Sequence, residues 1–261
     1  MKSLRLFSLL PRKPREFYDR VASIAESRLE ARLERPTYRA RDESDALRSL
    51  VTALGAELGE HSDELQLADI QTQVRRGQEQ IPSDAPFGTF HNGDFALARL
   101  CYQIVRAIKP QVIVETGVCY GVTSAFLLQA MEVNGTGHLH SIDLPPLGKD
   151  ADKHVGRLIP ASLRSRWTLH RGIAKRLLPP LLAQLGEIDM FVHDSLHTCQ
   201  NMRMEFASAW PALARGGVLI ADDIEGNTAF QELTALSDIA LSLVMEEQAK
   251  GSLLGIAVKR A

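Results

Sequence analysis

The sequence contains few cysteines, and none of them forms a pattern that supports a covalent or metal-linked framework. Only three of its 261 residues are cysteines, Cys101, Cys119 and Cys199, and no Cys-x-x-Cys pair occurs. A small disulfide-stapled fold and a structural zinc site both need more cysteines at closer spacing. The count therefore favours neither class, and it is typical of a protein of the reducing cytoplasm.

Long apolar runs and an excess of one charge are also missing. No run reaches the roughly 18 apolar residues that a membrane-spanning helix needs. The formal net charge is −2 and aromatic residues make up 6% of the chain. Without a basic stripe interleaved with aromatic residues, nucleic acid is not an expected partner. Residues 1–15 end in basic residues and are interpreted as a solvated arm, with weak membrane or partner contact as the alternative.

The chain is long enough for one large α/β domain with an appendage, or for two small domains. Apolar residues at helical spacing predict amphipathic helices from residue 16 to about residue 80, and Asp42 and Ser44 are candidate caps for one of them. The proline- and glycine-containing segment 82–88 is the clearest linker, so residues 88–261 are expected to form the main domain. The approach segment Phe87–Asp94, in which Asp94 is a candidate helix cap, is expected to fold over a ligand. The first 87 residues are interpreted as a cap over the active site, as a surface for a homodimer, or as both.

A strand, a glycine turn and a helix follow one another at residues 112–131. A β-branched run ends in Glu115, and Gly117 and Gly121 come just after it. This order is typical of the first βα unit of an open α/β sheet, whose ligands bind beyond the carboxyl ends of the strands. The third glycine of a dinucleotide loop is missing, and Glu115 would repel a phosphate. A carboxylate there suits a ligand with an ammonium or sulfonium charge, although a glycine turn in some other α/β protein remains an alternative.

Further strands alternate with helices up to the end of the chain. The second strand ends in Asp143, which is placed to accept the ribose hydroxyls of an adenosine ligand, unless it is only a turn residue before two prolines. After the third strand, Pro179 and Pro180 are expected in the first turn of a helix or at a break in it. Two final strands are expected to pair antiparallel. Together these elements predict a seven-stranded, doubly wound, mostly parallel sheet with an N-terminal helical extension.

Three aspartates follow the fourth and fifth predicted strands. Asp194 follows the fourth, and Asp222 and Asp223 follow the fifth. If these strands are neighbours of the first, the carboxylates meet at one edge of the ligand cleft, where they would repel one another unless a cation is present. Magnesium prefers such oxygen ligands. Each aspartate also has an alternative role as a helix cap.

A histidine lies three residues beyond the first of these acids. His197 has an ordinary pKa of about 6.5, which suits a group that accepts a proton from a hydroxyl. A hydrogen bond to the nearby carboxylates is an equally good explanation of its position. His193 precedes Asp194 within the strand and is expected to point to the opposite face of the sheet.

Together, these features resemble the class I S-adenosylmethionine (SAM)-dependent methyltransferases, and more narrowly the metal-dependent O-methyltransferases of the catechol type and of bacterial sugar and macrolide tailoring. The resemblance implies SAM as cofactor, Mg²⁺ or another divalent cation, and a small-molecule hydroxyl as methyl acceptor. It implies metal ligands at Asp194, Asp222 and Asp223, with Asp194 or His197 as the catalytic base. The cofactor-binding residues that it implies are Glu115, Gly117, Gly121, Thr123, Ser124, Asp143, Ile173 and Asp194.

Two residues depart from the catechol-type pattern. His197 stands where those enzymes have a lysine, and Asp223 stands where they often have an asparagine. Both departures move the chain toward the sugar-modifying group and leave the base open. Two other functions are kept as alternatives: a methyltransferase that needs no metal, and a SAM-binding module without catalysis.

Overall fold

The computed structural model describes residues 6–30, 35–55, 61–87, 95–148, 150–248 and 250–261. All but the first residue of the predicted approach segment Phe87–Asp94, including the candidate cap Asp94, lies outside these ranges. So does residue 88, at which the main domain was expected to begin.

Seven strands form one sheet, as predicted, in the order β3-β2-β1-β4-β5-β7-β6. The first five strands pair in parallel, and β7 pairs antiparallel with both β5 and β6. The central strand β1 lies between β2 and β4, so four of its five residues are buried, which explains its uninterrupted apolar sequence. The strands are β1 Val112–Thr116, β2 His138–Asp143, β3 Trp167–Arg171, β4 Ile188–His193, β5 Leu213–Ala221, β6 Ile239–Glu247 and β7 Ser252–Lys259.

Helices cover both faces of the sheet. One face carries a core to which α2, α3, α4 and α5 contribute, and the other carries a core formed with α6, α7 and α8. Leu50 and Ile70, from the N-terminal region, are fully buried in the first of these cores, so this region shares a core with the sheet. The helices are α1 Pro14–Glu30, α2 Glu43–Leu54, α3 His61–Glu79, α4 Phe95–Ile108, α5 Val122–Asn134, α6 Ala174–Leu185, α7 Cys199–Ala212 and α8 Ala229–Thr234.

The edge of the sheet at β6 is covered by the chain just before α2. Arg41 donates its N–H to the carbonyl oxygen of Val244 at 2.8 Å and accepts from the N–H of Glu246 at 3.2 Å. The next residue, Asp42, caps α2 as predicted, because its side chain accepts from the N–H of Asp45. This short backbone pairing protects an edge that would otherwise expose unpaired groups.

The prediction for Pro179 and Pro180 was wrong. Both lie inside α6, which continues from Ala174 to Leu185 without a break. Both prolines are exposed, so the carbonyl groups that lose an intrahelical partner face water and stay solvated. The helix is stabilised instead by the packing of its buried apolar side chains, among them Leu178 and Leu182.

None of the described helices is both long enough and apolar enough to cross a membrane.

Candidate active site

The carboxyl ends of β1, β4 and β5 lie side by side, as the strand order requires. Thr116 pairs with His193, and His193 pairs with Ala221. The hydrogen bonding continues one residue beyond the strands: the N–H of Asp194 donates to Thr116 O at 2.8 Å, and the N–H of Asp222 donates to His193 O at 2.9 Å. Asp194 and Asp222 are therefore fixed as neighbours by the backbone of the sheet.

The glycine loop after β1 packs directly against this edge. Gly117 has a φ of 84°, and a Cβ atom there would lie 1.8 Å from the carbonyl oxygen of Asp194. Gly121 has a φ of 87°, and a Cβ atom there would lie 2.8 Å from the Cα atom of Gly156. Both positions need glycine, for backbone conformation and for close approach. Gly117 thereby lets the predicted cofactor loop pack against the backbone of Asp194, the first predicted metal ligand.

Asp143, which is predicted to bind the ribose, accepts hydrogen bonds from the backbone of this same loop. Its Oδ2 atom accepts from the N–H groups of Val118 and Cys119, each at 2.7 Å. Burial raises the pKa of Asp143, against the lowering effect of these two hydrogen bonds. Its place at the end of β2 beside the glycine loop is the predicted one, and its contact with a ribose remains a prediction.

Glu115 is buried and does not reach solvent. Its Oε2 atom accepts from the hydroxyls of Ser124 and Ser141, each at 2.7 Å, and its side chain is 0% exposed. Burial raises the pKa of Glu115 to about 8, against the lowering effect of the two serines. Glu115 and Ser124 thus tie β1 to the first turn of α5, which also contains the buried Thr123. A role in attracting a sulfonium would require Glu115 to lose its proton, and it remains a prediction.

The predicted metal ligands form a carboxylate cluster. Asp194, His197 and Asp222 each offer a ligand atom, and these atoms lie within 4.8 Å of one another. Asp222 and Asp223 form a second such group with Glu247. Asp222 belongs to both groups. We call these five residues, Asp194, His197, Asp222, Asp223 and Glu247, the acidic cluster.

His197 lies between two of the carboxylates. Its Nδ1 atom is 2.9 Å from Asp223 Oδ2, and its Nε2 atom is 3.6 Å from Asp194 Oδ1. Burial by itself would lower the pKa of His197, but Asp194 and Asp223 raise it to about 10. In the metal-free protein the imidazole therefore carries a proton at neutral pH and partly neutralises the cluster.

Asp222, one of the two buried acids of the cluster, has a carboxylate oxygen that is left without a partner in the described part of the chain. Its side chain is 3% exposed, and its Oδ1 atom has no hydrogen-bond partner among the described residues. Burial raises the pKa of Asp222 well above its usual range, and the nearby charge of Asp194 adds to the effect. Asp223, by contrast, has a lowered pKa because His197 hydrogen-bonds to it. An orphaned carboxylate oxygen among other carboxylates fits the oxygen donor set of a divalent cation.

The alternative roles of these aspartates as helix caps are not seen. The cap of α7 is Thr198, whose Oγ1 atom accepts from the N–H of Asn201 at 3.3 Å. Asp223 precedes a short 3₁₀ turn at Ile224–Gly226 but makes no side-chain cap bond. Asp223 has a φ of 51°, a left-handed conformation that aspartate tolerates better than most residues.

The sequence analysis missed two groups at the cluster, Glu247 and Lys250. Both come from the hairpin between β6 and β7, on the far side of β5 from the glycine loop. The Nζ atom of Lys250 lies 3.5 Å from Asp222 Oδ2 and 3.6 Å from Glu247 Oε2. The hairpin itself was predicted, but nothing in its local pattern indicates that its turn reaches the ends of β4 and β5.

The third missed residue is Glu205, on the buried face of α7. Its Oε2 atom accepts from Thr116 Oγ1 at 2.5 Å and lies 2.7 Å from His193 Nδ1. Its Oε1 atom accepts from Ser195 Oγ at 2.7 Å and from Asn201 Nδ2 at 2.9 Å. Glu205 therefore holds the segment that carries Asp194 and His197. A charged residue three positions after Met202 on an apolar helical face was the signal that could have revealed it.

His193 also lies closer to this site than predicted. It is fully buried, and its ring centroid is 5.4 Å from that of His197. The alternation of side chains along β4 does turn it away from Asp194, toward Glu205 and Phe206. The prediction for His193 did not consider that the chain turns back after Asp194. This turn brings the ring of His197 close to that of His193.

Helix α1 crosses the same end of the sheet. Arg20 donates to the carbonyl oxygen of Pro145, beyond β2, at 2.7 Å. Asp19 pairs with Arg176, in α6, at 2.7 Å. Glu30 accepts from the N–H of Cys199, at the start of α7, at 2.6 Å.

A cavity of about 170 Å³ lies beneath α1. It is lined by Leu144, Arg171, Ile173 and residues of α1. Ile173 is the residue that the resemblance places against the adenine, and it precedes α6 directly. The predicted cap thus lies over the predicted cofactor side of the cleft.

The comparison with known families agrees with this geometry. A family model described as "Methyltransferase domain" matches residues 114–224. Residues 114–224 are therefore similar to a methyltransferase domain. The matched part begins in β1 and includes the glycine loop, Asp143 and the three predicted metal ligands. Glu247 and Lys250 lie beyond it. A comparison with curated proteins finds no match.

Solved structures confirm the predicted fold. An O-methyltransferase from Bacillus cereus in complex with SAH is 17% identical, with a TM-score of 0.54, and the alignment covers 77% of this chain and 92% of that one. The O-methyltransferase TomG of Streptomyces achromogenes, involved in tomaymycin synthesis and in complex with SAM, is 20% identical, with a TM-score of 0.54 and coverages of 78% and 92%. The SAH-bound methyltransferase PaMTH1 of Podospora anserina is 11% identical, with a TM-score of 0.52 and coverages of 87% and 100%. At these identities the likeness establishes the fold alone, a mostly parallel seven-stranded sheet flanked by helices.

Proposed function

We propose that this chain is a SAM-dependent O-methyltransferase that acts on a hydroxyl group of a small molecule with the assistance of a divalent cation. The observation that carries the proposal is the contact between the glycine loop and the acidic cluster. Gly117 packs against the backbone of Asp194, whose side chain lies beside Asp222 and His197. A methyl donor on the loop and an acceptor hydroxyl at the cluster would therefore be neighbours.

In the proposed reaction, a bond forms between the acceptor oxygen and the methyl carbon while the bond between that carbon and the sulfonium sulfur breaks. The hydroxyl proton passes to a base of the protein, either Asp194 or His197. The protein contributes mainly by positioning the two reactants, which by itself accounts for much of the rate of such transfers. The glycine loop leaves room for the donor, and Asp143 at the end of β2 accepts its ribose hydroxyls.

A divalent cation fits the acidic cluster, with Asp194, Asp222 and Asp223 as the residues that would hold it. A bound metal ion would act as a Lewis acid that lowers the pKa of a coordinated hydroxyl. The orphaned Oδ1 atom of Asp222 and its raised pKa support this assignment. Of the other groups in the cluster, His197 hydrogen-bonds to Asp223 and is also a candidate base, and Glu247 lies beside Asp222 and Asp223.

The acceptor is proposed to be a hydroxyl of a sugar or of a natural-product-like compound. Support comes from the O-methyltransferases among the solved structures, one of which takes part in tomaymycin synthesis. The cap formed by α1 would enclose such an acceptor and exclude water, which strengthens the electrostatic interactions inside the cleft.

Isothermal titration calorimetry with SAM, followed by transfer of labelled methyl groups to a panel of polyhydroxylated small molecules, tests this function. We expect SAM to bind and label to appear on oxygen. Asp222→Asn should lower kcat/KM by about 100-fold. The matched control is Asp45→Asn, a half-exposed aspartate paired with Arg48 on the surface, which should leave activity unchanged.

Three outcomes would change the assignment. If no SAM binds, the methyltransferase function is wrong. If SAM binds but no acceptor class is methylated, a binding module without catalysis is the better explanation. If activity survives both EDTA and Asp222→Asn, the reaction does not need a metal.

A further inference from the structure

The hairpin between β6 and β7 places an ammonium group in the acidic cluster. Its turn is tight: the N–H groups of Lys250 and Gly251 donate to the carbonyl oxygen of Glu247 at 3.1 and 2.7 Å. The side chain of Lys250 is 33% exposed, whereas those of Asp222 and Glu247 are 3% and 0% exposed. Lys250 thus reaches from the solvent side onto two carboxylates that water does not reach.

This ion pair differs from the other lysine pairs on the surface. Lys153, for example, pairs with Asp150 at 2.8 Å, but these side chains are 77% and 45% exposed, so solvent screens the pair. The carboxylates that face Lys250 are buried, and a buried charge is stable only with a partner. Partial burial by itself would lower the pKa of Lys250, but Asp222 and Glu247 raise it, so the ammonium stays charged.

The position of Lys250 matters because Asp222 is shared. Asp222 belongs to both groups of possible metal ligands in the cluster. Lys250 contacts the Oδ2 atom of Asp222, while the Oδ1 atom has no partner among the residues that the structure describes. A divalent cation on Asp222 would therefore lie within a few ångströms of a positive charge, and like charges at that distance repel strongly away from bulk water.

We propose that Lys250 acts as a counter-ion of the acidic cluster and that its positive charge lowers the affinity of the cluster for divalent cations. This inference rests on the proposed function, since it concerns the metal site of that function. The single positive charge of Lys250 partly neutralises the cluster when no metal is bound, and a metal ion that binds Asp222 must displace the ammonium. The turn of the hairpin, with one side open to solvent, gives the side chain room to move.

Titration of the metal-free protein with Mn²⁺, followed by electron paramagnetic resonance and calorimetry, tests the proposal without any assay of activity. Lys250→Met removes the charge and keeps most of the side-chain length, and it should bind Mn²⁺ at least about tenfold more tightly than the wild type. Lys250→Arg keeps the charge and should bind as weakly as the wild type. Lys153→Met removes a lysine that is also paired with an aspartate, but away from the cluster, and should change nothing.

An unchanged or weaker Mn²⁺ affinity in Lys250→Met overturns the proposal, as does a complete lack of Mn²⁺ binding in both the wild type and Lys250→Met. Asp222→Asn in the same titration separates the two hypotheses. If Asp222→Asn loses Mn²⁺ binding while Lys250→Met matches the wild type, only the role of Lys250 is wrong. If Asp222→Asn binds as the wild type does, the cluster is not the metal site. Thermal unfolding checks that each variant is folded, and Lys250→Gln replaces Lys250→Met if the latter is not.

Discussion

At the scale of single residues, burial determines how the acids of this chain behave. Glu115 and Asp222 are both removed from water, and burial raises the pKa of each. Glu205 is equally buried, yet its pKa is lowered, because its interactions with His193 and the hydrogen bonds from Thr116 and Ser195 together outweigh the effect of burial. The same residue type therefore holds a proton in one place and a charge in another, according to the partners that the fold supplies.

Glu115 should make the stability of the protein depend on pH. Its pKa is about 8 in the folded state against 4.5 when exposed, so ionisation favours the unfolded chain. The stability that it contributes is fully present below about pH 4.5 and is lost as the pH rises toward 8. Glu115→Gln should reduce that loss by a few kcal/mol, measured as the free energy of unfolding in urea at pH 5 and pH 8. Equal pH dependence in wild type and variant would contradict the assignment, and exposed Glu246→Gln serves as the control.

The base can be identified from two variants. With a pKa of about 10 in the metal-free protein, His197 holds its proton at neutral pH, which favours Asp194 among the two candidate bases. His197→Gln should then keep more activity at pH 7 than Asp194→Asn, by about tenfold in kcat. If His197→Gln is as inactive as Asp194→Asn, and the wild-type rate rises steadily between pH 7 and 9, His197 is the base instead.

At the scale of elements, α7 positions the segment that carries Asp194 and His197. The helix is amphipathic in the ordinary sense, with Met202, Phe206 and Trp210 buried, but it also buries one carboxylate, Glu205. That carboxylate joins the end of β1 to the segment after β4. Helix α7 therefore contributes a buried carboxylate that accepts hydrogen bonds, as well as apolar packing.

Glu205→Gln should destabilise the protein and loosen the site. The amide nitrogen cannot accept the hydrogen bonds that one carboxylate oxygen accepts now, so buried donors are left unsatisfied, at a cost of about 1–3 kcal/mol. Urea unfolding measures this cost, and exposed Glu187→Gln should stay within about 0.5 kcal/mol of the wild type. A fully stable Glu205→Gln protein would show that the network does not hold the segment.

At the scale of the whole molecule, α1 contacts the rest of the protein through polar side chains and leaves apolar side chains exposed. Its polar residues face the body of the protein through ion pairs such as Asp19 with Arg176, and none of its residues is buried. Six of the eight exposed large hydrophobic side chains in the described part of the chain belong to residues 6–30. An apolar stripe of this kind is typical of a surface that packs against another molecule, which agrees with the proposed homodimer. These six residues are Phe7, Leu10, Tyr18, Val21, Ile24 and Leu29.

The double variant Val21→Lys with Leu29→Lys should therefore convert a dimer into a monomer. Both side chains are exposed on α1, at 40% and 66%, so the substitution leaves the core intact. Light scattering after size-exclusion chromatography measures the mass. Leu65→Lys, at a position 61% exposed on α3, is the control and should leave the mass unchanged. A wild type of monomer mass would show that this stripe does not form a dimer.

Much of the fold follows from local pattern. Most strands of the sheet contain a short apolar run, and Gly117, Asp143, Asp194 and Asp222 mark strand ends, which is where an α/β sheet places its ligands. Strand number, mostly parallel pairing and the proximity of Asp194 to Asp222 were therefore predictable from the sequence alone. The two prolines of α6 were not, because tolerance of a proline depends on whether its neighbours face water.

The sequence by itself determined where the glycines and acids stand relative to the strands, because strand ends and turns are set by neighbouring residues along the chain. Only the tertiary structure decided which charges meet. Lys250 and Glu247 lie beside Asp222 and come from a hairpin on the far side of β5. Glu205 lies on α7 and contacts Thr116 and Ser195 instead. Ionisation depends on burial and on charges within a few ångströms, and these are properties of the packed molecule rather than of any segment of it.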